Sequence, residues 1–282
     1  MIGRSAQGIP QRSPDSHPAG LAEGALAGRR VLITGVSRPG GIGYAIAGEC
    51  ARAGAAVILT GLPGYDVEQG YPDAGPAVGP EALAARLREQ GLPATALPPV
   101  DLADPHGPDR MLRAATAAAG PIDGLVVNHA YSVAAPLEKW TAEHIDRHLT
   151  VNVRGSMLLL KGFVDQLPHT RAGSVVLLTS GQYLGPMTEE IAYAVSKDAV
   201  RGLCAQAAAA LADRLVRVNC VNPGPTDTGY LTGDEWDGVR RMFPAGRWGT
   251  PSDAARLVCF LLGKDAEWIT GQTIASEGGF RR

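Results

Sequence analysis

The sequence predicts an α/β fold: a doubly wound, mostly parallel sheet of seven strands with helices on both faces, in a single domain. Three observations carry the prediction. Short β-branched runs alternate with Ala-rich helical runs from residue 29 to the C-terminus, the order that generates parallel strands joined by right-handed crossovers. The first strand runs into a glycine-rich turn that opens a helix. The composition is globular, 45% hydrophobic and 19% charged over 282 residues, a length that one α/β core accommodates.

Residues 1–27 carry Pro10, Pro14 and Pro18 among polar residues and no apolar run of signal-peptide length, so a flexible tail is expected before a domain over 28–282. Arg29 to Thr34 reads as the first strand, ending at Gly35. Val36-Ser37-Arg38-Pro39-Gly40-Gly41-Ile42-Gly43 then leads into a helical run from Tyr44 to Ala53. Strand, glycine turn and helix in this order are what a dinucleotide site requires. Glycine lets backbone approach a pyrophosphate, and the helix start offers free N–H groups and a partial positive charge. Gly35, Ser37, Arg38, Gly41, Ile42 and Gly43 are the candidate contacts of this Rossmann-type loop.

The second strand, Ala55 to Thr60, ends without the acidic residue that binds ribose hydroxyls in NAD sites. With Thr60 there and Arg38 within reach of a 2′-phosphate, the site leans towards NADP(H); Asp66 keeps NAD(H) possible. Residues 61–80 form a long Gly- and Pro-rich connection containing Tyr65 and Tyr71. A helix over Glu81 to Gln90 and a strand over Ala94 to Val100 follow, then Asp101 and Leu102, placed to meet an adenine. After an Ala-rich helix ending near Gly120, the fourth strand runs through Val127 into Asn128, placed to order its turn or the cofactor. A long helix spans Thr141 to Gln166 with Asn152 in its middle, an amide that needs partners if buried.

Val175 to Ser180 is an apolar strand with a hydroxyl at its carboxyl end, where open α/β sheets place ligands. Next comes a helix in which Tyr193 and Lys197 stand four apart, hence side by side on one face. An ammonium beside a phenol favours the phenolate, which makes Tyr193 a candidate general acid and Ser180 a candidate holder of a carbonyl oxygen. The sixth strand, Leu215 to Val221, leads into Asn222-Pro223-Gly224-Pro225-Thr226-Asp227-Thr228. A helix over Arg256 to Leu262 and an edge strand over Gln272 to Ala275 close the chain.

A net charge of -2 gives no electrostatic reason to expect nucleic acid or an anionic membrane as partner. Cys50, Cys204, Cys220 and Cys259 are scattered in apolar or helical runs, as reduced thiols of a cytoplasmic protein are. No metal site is expected, since His144 and His148 lack the third ligand and glutamate of a zinc site and read as helix-surface residues.

Together these motifs resemble the short-chain dehydrogenase/reductase family from about Arg29 to the C-terminus. The likeness rests on Thr34-Gly35 with Gly41-Ile42-Gly43, Asn128-His129-Ala130, Asn152, Ser180, Tyr193-x-x-x-Lys197, Asn222-Pro223-Gly224, and Gly271-Gln272 with Glu277-Gly278-Gly279. Within the family the chain resembles the single-domain bacterial reductases similar to 3-oxoacyl-carrier-protein reductase. The resemblance implies an NADP(H)-dependent oxidoreductase that interconverts a ketone and a secondary alcohol. Tyr193 would be the general acid, Lys197 would lower its pKa and bind the nicotinamide ribose, Ser180 would polarise the carbonyl, and Asn152 would hold a relaying water. Pro223, Gly224, Thr226 and Thr228 would contact the nicotinamide end. The resemblance also implies a homo-oligomer, tetramer or dimer, acting on a small molecule.

Three departures from the family pattern bear on chemistry. The glycine turn is longer than usual, as in the enoyl reductases of this fold, which makes C=C reduction an alternative. Those enzymes, however, place their tyrosine where Glu190 stands here. His129 and Tyr131 alter the turn beside the nicotinamide. Glu189 and Glu190 precede Tyr193, and a carboxylate in the pocket disfavours an acidic substrate. Residues 226–245, with Tyr230, Trp236 and Phe243, are expected to form a lid with exposed aromatics over an apolar substrate, a subunit contact being the alternative explanation of those aromatics. A non-catalytic NADP-binding protein is the other competing reading.

Overall fold

The structure is a computed structural model and describes residues 24–282. Seven strands form one sheet: β1 (Arg30–Ile33), β2 (Ala56–Leu59), β3 (Ala94–Ala96), β4 (Gly124–Val127), β5 (Gly173–Leu178), β6 (Val216–Asn222) and β7 (Thr273–Ala275). Their order is β3-β2-β1-β4-β5-β6-β7, and every pairing is parallel. The sheet is therefore doubly wound, with the order reversing between β1 and β4. Side chains alternate across it: Val31 and Ile33 join one buried cluster and Leu32 the other, while Val176 and Leu178 oppose Val175 and Leu177. Strands apolar on both faces belong to sheets covered on both sides.

One face is covered by α1 (Ile42–Arg52), α3 (Pro80–Glu89) and α9 (Pro251–Leu262), the other by α4 (Gly107–Ala119), α6 (Ser156–Gln166) and α7 (Ile191–Ala210). Helix α9 starts where chemistry dictates: the Thr250 side chain accepts from Asp253 N, Asp253 accepts from Thr250 N, and Pro251 fills the first turn.

Four expectations are corrected. Most of the 1–27 tail lies outside the described residues, but Leu26 is buried and its N–H donates to Ala53 O at 2.8 Å, so the ordered domain begins before residue 28. Strand β3 stops at Ala96 instead of running to Val100, because Pro98 and Pro99 have no N–H to give a ladder. The 61–80 connection contains a short helix, α2 (Pro63–Glu68), started by its proline. The helix expected over 141–166 is α5 (Ala142–His148), a π-helical stretch over Leu149–Gly155, and then α6. The π stretch widens the turn at Asn152, the kind of local insertion found at functional positions.

Candidate active site

The strand order reverses between β1 and β4, and in doubly wound sheets ligands bind beyond the carboxyl ends of the strands at that reversal. A cavity of about 760 Å³ opens there. The glycine turn forms one wall. Gly35 has φ +70°, and a Cβ on it would come within 2.8 Å of Asn128 Nδ2 and 2.9 Å of the His129 backbone. Asn128 fixes this turn by donating to Thr34 O at 3.0 Å and Gly35 O at 3.1 Å. Gly35, Ser37, Arg38, Gly41 and Ile42 line the cavity; Gly43 lies behind them, where a Cβ would meet Gly35 O at 2.5 Å.

Thr60, Asp101, Leu102 and Asn128 line the same space. Thr60 is fully buried and its Oγ1 has no hydrogen-bond partner, an orphan that a ligand hydroxyl or phosphate would satisfy. Asp101 accepts from Ala103 N at 2.8 Å and Arg147 Nη2 at 3.1 Å. The backbone cradle and this orphaned hydroxyl fit a dinucleotide. Arg38, expected to reach a 2′-phosphate, already has partners within the protein. Its Nη1 donates to Asp73 Oδ1 at 2.9 Å and Thr228 O at 2.7 Å, its Nε lies 3.7 Å from Asp66 Oδ1, and its guanidinium lies 3.8 Å from the Tyr71 ring centre. The carboxylates come from the 61–80 connection, and Asp66 itself faces the cavity.

The opposite wall carries Ser180, just beyond β5, and Tyr193 on α7. The nearby Ser180 hydroxyl draws the pKa of the Tyr193 phenol down, but burial, followed by the charge of Glu190, raises it overall. Lys197 is buried, donates from Nζ to Leu178 O at 2.9 Å and lies 5.7 Å from the Tyr193 ring centre; burial lowers it to about 8. The lowering of Tyr193 expected from Lys197 is not what this environment gives, since burial and then the charge of Glu190 push the phenol up. Tyr193 is accordingly held as a protonated phenol at neutral pH, the form a proton donor needs.

Asn152 is buried, and its amide is engaged at both ends. Oδ1 accepts from Tyr131 N at 2.7 Å, and Nδ2 donates to Tyr131 O at 2.8 Å and Ser196 Oγ at 2.9 Å. Its own carbonyl accepts from Ser156 Oγ at 2.6 Å. The side chain spends both Nδ2 protons and one Oδ1 lone pair in clamping the turn after β4. Pro223, Gly224, Thr226 and Thr228 close the cavity. Asn222 and Glu277, joined at 2.8 Å, hold that segment, which ties two motifs far apart in sequence.

His129 bridges β1, β4 and the π stretch. Thr34 Oγ1 lies 2.9 Å from Nδ1 and Val151 O lies 3.2 Å from Nε2. Since Val151 O only accepts, Nε2 carries the proton and Nδ1 accepts from Thr34. Desolvation, followed by Lys197, lowers its pKa to about 3 from an ordinary 6.5. Below pH 6.5 the unfolded chain binds a proton that the folded one refuses, so this contribution to stability is complete above 6.5 and is lost as pH falls towards 3. Denaturant unfolding across that window should give a flatter pH slope for His129→Gln than for the parent; parallel slopes would refute the assignment.

His148, expected at a helix surface, is buried beneath the 130–133 turn, accepting from Val133 N at 3.3 Å and packing edge-on to Tyr131 at 4.8 Å. The 226–245 segment contains α8 (Gly233–Arg241); Phe243 is buried and Trp236 half-buried instead of exposed, whereas Tyr230 lies exposed as expected. Trp236 stacks on Trp248 at 5.9 Å, and Phe243 packs on Phe280 at 5.0 Å. Tyr230 is the aromatic of that segment that reaches the cavity. Sequence reasoning left Tyr65 and Tyr71 without a role and did not single out Ser132 or Arg282, all on the cavity wall. The two tyrosines carried a weak signal, as aromatics in an otherwise Gly- and Pro-rich connection.

Among the described residues no group of His, Cys, Asp or Glu could hold a metal ion, and no helix is long and apolar enough to cross a membrane. The four cysteines are free and buried.

A family model described as Enoyl-(Acyl carrier protein) reductase matches residues 35–281. The chain is 34% identical over 253 residues to the Uncharacterized oxidoreductase YjdA of Bacillus subtilis (strain 168), covering 89% of this chain and 96% of the relative. It is also 34% identical over 253 residues to the 3-oxoacyl-[acyl-carrier-protein] reductase FabG of Aggregatibacter actinomycetemcomitans, covering 88% and 98%. Among solved structures, the 3-oxoacyl (acyl-carrier-protein) reductase from Agrobacterium tumefaciens C58 with NADP bound superposes with a TM-score of 0.79 at 30% identity, covering 90% of this chain and 95% of that one.

Proposed function

The chain belongs to the short-chain dehydrogenase/reductase family, and on that premise we propose that it is an NADP(H)-dependent oxidoreductase interconverting a ketone and a secondary alcohol. The observation that carries this reading is the meeting of the Ser180 and Tyr193 hydroxyls on one wall of the cavity, with Lys197 behind them. The nicotinamide cofactor, when bound, supplies or accepts the hydride. The glycine turn, Thr60 and the 223–228 segment would hold it. Ser180 donates a hydrogen bond to the substrate oxygen, and Tyr193 gives that oxygen its proton in reduction and removes it in oxidation. Asn152 and His129 keep the 128–132 turn in place, so the two hydroxyls face a surface of fixed shape.

The test is to supply NADPH with a panel of ketones and, separately, α,β-unsaturated thioesters, and to identify the product. Cofactor consumption with appearance of a secondary alcohol supports ketone reduction. A saturated product that keeps its carbonyl would replace it with enoyl reduction, which the longer glycine turn favours. Binding of NADPH without consumption on any substrate would leave a nucleotide-binding protein.

NADP(H) is preferred because Thr60 directly follows β2 with no carboxylate beside it, and the NADP-bound neighbour is consistent with that choice. Asp66 works against it by placing a negative charge in the cavity 3.7 Å from the one arginine of the glycine turn. Asp66→Asn should raise the ratio of kcat/KM for NADPH over NADH by about tenfold, the effect of removing one charge repulsion of about 1.4 kcal/mol. An unchanged ratio would place the 2′-phosphate away from this corner.

A further inference from the structure

Glu190 stands three positions before Tyr193 as the N-cap residue of α7, yet its side chain makes no capping hydrogen bond to that helix. It faces the cavity instead, where Oε1 accepts from Ser132 Oγ at 3.1 Å. Ser132 is itself fixed, since its N–H donates to the Tyr65 hydroxyl at 2.9 Å and its carbonyl accepts from that hydroxyl at 3.0 Å. The carboxylate is thus aimed by a short rigid chain. No described cation forms an ion pair with it, whereas the arginines on the cavity wall are already matched: Arg38 with Asp66 and Asp73, Arg147 with Asp101, Arg282 with Glu277. The field of Glu190 reaches the phenols of Tyr71, Tyr193 and Tyr230, raising each.

A partly desolvated carboxylate is costly without a counter-charge, and phenol rings present negative faces to a cation. The Tyr71 ring already carries the Arg38 guanidinium, but Glu190 shares the cavity with the rings of Tyr65 and Tyr230. We propose that the substrate carries a cationic nitrogen, held by Glu190 and these rings, a short carbon link from the carbonyl that Ser180 and Tyr193 engage: an amino ketone and its amino alcohol. This rests on the carbonyl-reductase reading of the same site and adds what the rest of the substrate must be.

The test uses two ketones of the same shape, acetonyltrimethylammonium and neopentyl methyl ketone, which differ only in a permanent charge. With cofactor in excess, the parent enzyme should favour the cation in kcat/KM by about tenfold or more, and in Glu190→Gln that ratio should fall towards one. Equal use of the two ketones by the parent enzyme, or a preference that survives Glu190→Gln, overturns the proposal. Should neither ketone be reduced, the carbonyl-reductase reading is what suffers, and calorimetric titration of tetramethylammonium into cofactor-loaded protein decides the cation site. Binding that disappears in Glu190→Gln supports it; absence of binding by the parent protein, or equal binding by both, overturns it.

Discussion

Tyr193→Phe should lower kcat by about 10²- to 10⁴-fold, the usual worth of a positioned proton donor, and leave cofactor affinity nearly unchanged. The substitution removes one oxygen from a partly buried ring and leaves α7 with the same helix-forming backbone. The pH profile sharpens the expectation. Burial and Glu190 raise the phenol above its ordinary 10, so the protonated form prevails through neutral pH and ketone reduction should hold level there. Alcohol oxidation needs the phenolate, the minor form, so its rate should climb with pH. Steady-state rates in both directions, for parent and variant, check this. A phenylalanine variant that turns over like the parent, or that retains the alkaline rise in oxidation, would remove Tyr193 from the chemistry.

Asn152→Ala should be the most damaging of the substitutions away from the reacting groups. It leaves the Tyr131 N–H and C=O and the Ser196 hydroxyl without their partner in a buried place, and such groups cost about 1–3 kcal/mol each when nothing replaces the bond. Relaxation and water entry reduce the sum, so a loss of about 3 kcal/mol is expected, with Tm lower by about 6–12 °C for a chain of this size. Turnover should fall with it, because the turn that Asn152 clamps forms part of the cavity wall beside Tyr193. Thermal unfolding of the cofactor-free protein gives the stability directly. A Tm within a degree of the parent would show that the clamp is dispensable.

What the sequence made legible was whatever depends on local spacing. The glycine turn between β1 and α1 needs only a few consecutive residues, and Tyr193 and Lys197 share a helix face because they are four apart. The parallel order of strands followed from their alternation with helices. What stayed hidden depends on contacts between distant segments. Arg38 read as a cation available to a phosphate because nothing nearby opposes it, and its partners Asp73 and Thr228 lie 35 and 190 positions away. The π stretch was invisible because hydrophobic spacing around Asn152 is compatible with an ordinary helix. His148 and the aromatics at 236 and 243 were expected outside and lie inward, since their partners, Tyr131, Trp248 and Phe280, come from other elements.

The bond from Arg38 to the carbonyl of Thr228 has a consequence for how the molecule comes into being. A ribosome releases the glycine turn early and the 228 region late, and domains form as their sequence emerges. Through most of synthesis, β1, β2 and β4 have the residues they need to pair, but the arginine beside the glycine turn lacks one of its two closest acceptors. Chains ending before residue 228 would therefore carry a sheet-forming half in which the Arg38 guanidinium has not yet met the Thr228 carbonyl that anchors it across the cavity.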